Sequence, residues 1–252
     1  MLISLLVSTI AATGSGRTRQ AADLRRNAQL RAEADGGVEE AVFHLLDSSK
    51  AHWAADGSIH RVRRGDTLLS LQLVSQAGRV NPNRASPELL AALLQAVGVD
   101  GRRATVLAAG IVTWRYPNGG LASMPGGGAG RDDLPPGAPF ESIAELGLVP
   151  GIGPGLLASL APHLSLYRDG DPEVAAADPV VREAIRALAG PDAADGDAAE
   201  APVRPDDTLV AVTVLATDAA GRRFERRTIV QTNAAGAGGR PFRIMSVEMP
   251  SG

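Results

Sequence analysis

Between Arg19 and Ser49 apolar residues return at every third or fourth position: Leu24, Ala28, Leu30, Ala34, Val38, Ala41, Val42, Leu45 and Leu46. Charged residues such as Arg25, Arg26, Arg31, Glu33, Glu39 and Glu40 fall between them. This spacing predicts one long amphipathic helix. Gly36-Gly37 interrupts it, at a cost of roughly 1 kcal/mol per glycine relative to alanine. Such a pair is tolerable where a neighbour packs closely against the backbone. Asp56-Gly57 reads as a turn. From Ser58 to Val80 the period shortens to two. Ile59, Val62, Leu69, Leu71 and Leu73 alternate with polar residues, the pattern of half-buried strands, and Arg64-Gly65-Asp66 is the hairpin turn between them.

A helical block follows. Ser86-Pro87-Glu88 opens an apolar run, with serine at the N-cap and proline at the first helical position, and Gly98 closes it. Gly101 to Arg115 is a second helix. Asn118 to Pro139 is rich in glycine and proline and reads as a long loop. Short helices are expected at Glu141–Leu146 and Gly155–Leu160, and another at Val180–Leu188. Gly190 to Asp207 has the composition of an acidic linker. Strands return at Leu209–Leu215, Phe224–Val230 and Phe242–Met249, with a loop at Asn233–Gly239. Strands on both sides of a helical block imply an α+β fold in which they pair and the block is an insertion. The expected organisation is a helix over 1–50, a sheet from 51–80 and 205–252, an inserted all-α domain over 81–189 and a linker over 190–207.

Composition changes this picture little. The 252 residues contain no cysteine, which removes disulfides, thiol catalysis and thiolate metal sites. Aromatics are only 3%, so the core must be aliphatic. The net charge of -3 lacks the concentrated basic surface that phosphate binding requires. Met1 to Thr13 is apolar but shorter than the roughly 20 residues of a membrane span; it reads as the remaining part of a longer hydrophobic helix.

Candidate chemistry is sparse. No serine sits in a nucleophile elbow, and no glycine-rich phosphate loop carries its lysine. His44 and His52 stand two helical turns apart without a third ligand, so solvated or capping roles are expected. Asp132-Asp133, Asp169-Asp171 and Asp206-Asp207 are short of the six to eight oxygens that calcium requires. Arg222, Arg223, Arg226 and Arg227 on a strand are read as a solvated edge guarded against aggregation, with an acidic partner as the other reading. Val149-Pro150-Gly151-Ile152-Gly153-Pro154 resembles the hairpin of helix-hairpin-helix DNA binders, in which glycine amides meet a phosphate. The following segment, Gly155 to Tyr167, contains no lysine or arginine. A structural hairpin is therefore expected, with a nucleic-acid-binding module as the alternative function.

Four segments together resemble a known family. Gly78 to Leu90, carrying Asn81, Asn83, Ala85 and Ser86, is similar to the G-x-(I/V)-N-x-N-x-A-S-x-x-x-L segment of the minor pseudopilin K of type II secretion systems. Ile111 to Arg115 resembles its I-x-x-W-R-D helix end, with Tyr116 in place of the aspartate. Pro139 to Ile152 is similar to P-F-x-S-x-x-E-L-x-x-V-x-G-I, and Leu164 to Tyr167 to L-T-V-Y. The resemblance implies a pilin-like fold, a long N-terminal helix on an antiparallel sheet, with a large inserted all-α domain. It implies a non-enzymatic subunit, without a small-molecule substrate or nucleic acid, that caps the tip of a periplasmic pseudopilus beside other minor pseudopilins. Anchoring would be in the inner membrane through the N-terminal helix. Some members bind calcium, with no ligands that the motifs identify here. The helix stripe, in particular Leu24, Ala28, Ala34, Val38, Val42 and Leu45, is expected to meet partner helices.

Overall fold

In the computed structural model, residues 2–115, 137–189, 209–232 and 241–248 are described, residues 2–19 as backbone helix alone. The expected loops at Asn118–Pro139 (all but its last three residues), Gly190–Asp207 and Asn233–Gly239 lie outside them. The chain forms two compact units. One comprises Met1–Ser75 and Val210–Gly252, the other Gln76–Leu209.

The first unit is a helix and a five-stranded antiparallel sheet, so the α+β class holds. Helix α1 runs Leu2–Leu46. Strands β1 (Asp56–Arg64), β2 (Thr67–Ser75), β3 (Leu209–Thr217), β4 (Arg223–Thr232) and β5 (Phe242–Glu248) follow the sheet order β1-β2-β3-β4-β5. The β1–β2 hairpin turns at Gly65, whose φ of 54° lies in the left-handed region that glycine reaches without strain. Every second residue of β2 is buried: Leu69, Leu71 and Leu73 show no exposed surface. On β3 the same face is Val210, Val212, Val214 and Ala216. Against these pack Leu30, Ala34, Val38, Ala41 and Val42 of α1. The helical period and the strand period thus meet in one aliphatic layer, each fully buried Leu or Val contributing about 1.5–3 kcal/mol.

Gly36 and Gly37 have a specific use here. A Cβ on Gly37 would lie 2.8 Å from Val214 Cγ1, and one on Gly36 2.7 Å from Arg64 Nη1. The pair lets the α1 backbone approach the sheet more closely than any side chain would allow, which offsets its low helix propensity.

The second unit has no strand among its described residues apart from one isolated parallel bridge, Val80 to Leu164. It contains α2 (Pro87–Ala96), α3 (Gly101–Arg115), α4 (Pro154–Leu160) and α5 (Pro179–Ala189). Three short 3₁₀ turns occupy Ile143–Leu148, Ala161–His163 and Val174–Ala176. The first is the short helix expected near Glu141–Leu146, in 3₁₀ form and shifted to Ile143–Leu148. Ser86 caps α2, its Oγ accepting from Leu89 N–H at 3.1 Å, with Pro87 in the first turn. Gly98 follows α2 with φ 93° and donates to the Gln95 carbonyl. Leu90, Leu93, Leu94, Leu107, Ile111, Leu146, Leu160 and Val181 form its core.

Candidate assembly surface and the motif node

The six stripe residues divide into two groups. Ala34, Val38 and Val42 are 0%, 6% and 1% exposed, consumed by the chain's own sheet, and Leu45 packs against the same cluster. They are corrected from partner-facing to intramolecular positions. An apolar stripe has the same spacing whether it faces a sheet in its own chain or a helix in another. Leu24, at 64% exposed, and Ala28 remain open to solvent on the turns before Leu30.

The arginines of β4 require a second correction. β4 lies between β3 and β5 and is no edge. Arg226 is largely buried, its Nε donating to Asp35 of α1 at 2.7 Å while its guanidinium lies 5.3 Å from the Phe224 ring centroid. Arg222 reaches Asp23 of α1 at 3.2 Å and holds Asp218 at 3.0 Å. On the β1 side, Arg64 pairs with Glu40 at 2.7 Å. The acidic partner of these arginines is therefore α1 itself. The available signal was alternation: Phe224 and Val230 belong to the helix-facing core, so Arg226 on the same face had to find an anion there. Asp218 is held below the ordinary carboxylate range, first by the backbone N–H of Arg222; burial opposes this, and the Arg222 side chain adds to it.

In the second unit the four segments noted in the sequence converge. Val80 N–H donates to the His163 carbonyl and Ser165 N–H to the Val80 carbonyl, both at 3.0 Å. Asn81 Nδ2 donates to the Leu166 and Arg168 carbonyls, while its Oδ1 accepts from Asn83 N–H. Asn83 clasps Phe140 from both sides, donating to its carbonyl at 2.9 Å and accepting from its N–H at 2.8 Å. Arg115 at the end of α3 is buried, donating to the carbonyls of Pro82 and Ala85. Trp114 stacks near Phe140, centroids 6.4 Å apart. Side-chain amides and one guanidinium thus serve loop backbone groups that no helix or sheet satisfies.

The glycine hairpin belongs to this framework. Val149 and Ile152 are buried, and Gly151, with φ 92°, leaves no room for a Cβ, which would sit 2.8 Å from Leu107 Cδ2. The Gly151 carbonyl accepts from Arg103 at 3.3 Å. His163 lies 2.8 Å from Asp178, which also caps α5 through the N–H groups of Val180 and Val181. Burial pushes the Asp178 carboxyl up, but the hydrogen bonds from His163 and those amides outweigh it and hold the group below its ordinary value.

Among the described residues no three His, Asp or Glu side chains gather as a metal site would need. Asp169 faces Arg84 at 3.2 Å, and Arg168 takes both the Asp171 carbonyl and Glu173. Asp169 and Glu173 are thus paired with arginine, while Asp171 contributes its backbone carbonyl. Asp132-Asp133 and Asp206-Asp207 lie outside the described residues. Nor is any helix among the described residues long and apolar enough to cross a membrane.

Residues 68–169 match the family model for the type II secretion system (T2SS), protein K. The protein K match takes in β2, the motif node and the hairpin. In fold, the chain is similar to a chain in the crystal structure of the GspK-GspI-GspJ complex from the type 2 secretion system of enterotoxigenic Escherichia coli. The TM-score is 0.64 at 15% identity, covering 94% of this chain and 100% of that one. No curated protein matches the sequence.

Proposed function

We propose that the chain is a non-enzymatic pseudopilus subunit that caps the tip together with other minor pseudopilins and so supports protein export across the outer membrane. The observation that carries this reading is the fold-level likeness along the whole of a chain crystallised as a GspK-GspI-GspJ complex. The protein K match within it adds support. On this reading the first unit is the pilin body, Gln76–Leu209 is its inserted helical domain, and the N-terminal end of α1 associates with the inner membrane while the rest is periplasmic. Leu24 and Ala28 are apolar positions of α1 open to a partner helix, whereas Leu30, Ala34, Val38, Ala41 and Val42 are covered by the chain's own sheet.

The test is co-purification of the full chain in detergent with two other minor pseudopilins of the same system, with and without calcium. A stable complex of one copy each is expected. Leu24→Arg should weaken it by about tenfold, as a charge placed in an apolar contact does, while leaving stability within about 0.5 kcal/mol. An undiminished complex in that variant would remove Leu24 from the interface. Absence of a complex in both conditions would overturn the assembly reading, and a complex that forms only with calcium would assign the metal a role.

A further inference from the structure

The ion pairs of α1 distinguish its two flanks. Glu33 and Glu40 reach Arg64 of β1 at 3.8 and 2.7 Å. Asp23 and Asp35 reach Arg222, just before β4, and Arg226 within it, at 3.2 and 2.7 Å. The sheet order puts β5 beyond β4, on this second flank. Leu24, Ala28, Asp35, Glu39 and Leu46 recur there at helical spacings of four and seven, and all five are exposed.

β5 carries a matching feature. Ile244 stands opposite Val230, and Val247 opposite Thr228. Val230 and Thr228 are buried on the helix side of β4, and cross-strand partners share a face. Ile244 and Val247 therefore point to the helix side together, although they are three residues apart and regular pleating would separate them. A β-bulge makes up the difference: Met245 is the extra residue between the pairs Ile229–Ser246 and Val230–Ile244. The bulge thus turns two apolar side chains toward the layer of α1, yet Ile244 remains 45% exposed and Val247 52%.

We propose that the trough between α1 and β5 receives an α-helix of a partner subunit, laid alongside α1; this rests on the assembly reading above. Its apolar stripe meets Leu24, Ala28, Leu46, Ile244 and Val247, and a lysine or arginine stands opposite Glu39. The dimensions fit a helix. Gly37 seats α1 on Val214 of β3. β5 lies two strands further on, about 9.5 Å at the ordinary strand spacing. Packed helices stand about 8–10 Å apart axis to axis, so a second helix beside α1 falls over β5. The charge fits a basic partner, because Arg226 already occupies Asp35 while Glu39 is exposed on the same flank. A strand is the poorer occupant, since the bulge interrupts the row of backbone groups on which an added strand would pair.

The chain has no cysteine, so Val247→Cys places a single thiol of this chain in the trough. In the full chain co-purified in detergent with two other minor pseudopilins, alkylation of that thiol, followed by mass spectrometry, should be roughly tenfold slower than in the chain alone. Ile59→Cys, exposed on the opposite edge strand, should react equally in both. Ile244→Cys serves if Val247→Cys does not fold. A benzophenone on the same thiol should cross-link to a helix of a partner; cross-links to a partner strand or loop would overturn the proposal. A complex in which the thiol reacts at its free rate would overturn the trough and leave the assembly reading standing. No complex with the unaltered chain would overturn both.

Discussion

The two units solve different problems with the same polar side chains. In the first, helix and sheet satisfy their own backbone, and the arginines are free to bind acids far away in sequence: Asp23 with Arg222, Asp35 with Arg226, Glu40 with Arg64. These contacts hold α1 at one place on the sheet. In the second, short helices are joined by loops whose carbonyls and amides would otherwise be stranded. There Asn81, Asn83 and Arg115 bind backbone instead of charge. The lesson is that a polar residue at a buried position should be asked which unsatisfied group lies nearest: a carboxylate on a regular surface, or a backbone atom in an irregular one.

The sharpest way to break this contrast is Gly78→Ala in the loop-rich unit. A Cβ there would lie 2.2 Å from both the carbonyl carbon and oxygen of Ala176, backbone atoms that no rotamer change can move aside. Urea unfolding should show a loss of about 3 kcal/mol or more; a loss under about 1 kcal/mol would mean the loops adapt freely. Asn83→Ala comes next. It strands both polar groups of Phe140 and should cost about 2 kcal/mol, whereas an unchanged urea midpoint would show water taking over both bonds. In the first unit, Arg226→Ala is expected to cost about 1–2 kcal/mol, because that guanidinium is largely buried. Arg222→Ala, at a more exposed pair, should cost less than about 1 kcal/mol, and a reversed order would deny burial its weight.

The smallest effect is a matter of acid. Asp178 has its pKa lowered in the folded chain, so its contribution is present above the unfolded value of 3.8 and is lost as pH falls below it. Asp178→Asn should flatten that part of the stability curve for the second unit, measured by far-UV circular dichroism between pH 5 and 2. An unaltered acid limb would assign the loss to other carboxylates.

Local signals were legible where the physics is local. Serine followed by proline at 86–87 started α2 as read, Gly98 ended it, and Gly65 turned the first hairpin. The double glycine in α1 was legible as a place of close approach, although not what approached it. The stripe of α1 was legible as buried, but its partner was not. Periodicity reports that a face is covered and is silent about whether the cover lies in the same chain, so Ala34, Val38 and Val42 were assigned outward. Arg226 was misread for the same reason: its anion lies 191 residues away. The short helix expected near Glu141–Leu146 is a 3₁₀ turn at Ile143–Leu148, ended by the Val149-Pro150 that follows. In the candidate site, the four motif segments were visible singly. Their convergence on Asn81 and Asn83 depends on contacts across 57 to 87 residues, which spacing alone cannot display.

The ion pairs that tie α1 to the sheet have a mechanical side. A load applied along the axis of that helix would not peel it from the sheet one contact at a time. Asp23–Arg222, Asp35–Arg226 and Glu40–Arg64 would be strained together, with the Gly37 notch bearing on Val214 as a stop against sliding. Bonds loaded in parallel share the force, so modest pairs, each weak at equilibrium, give a joint that resists shear far better than it resists lifting.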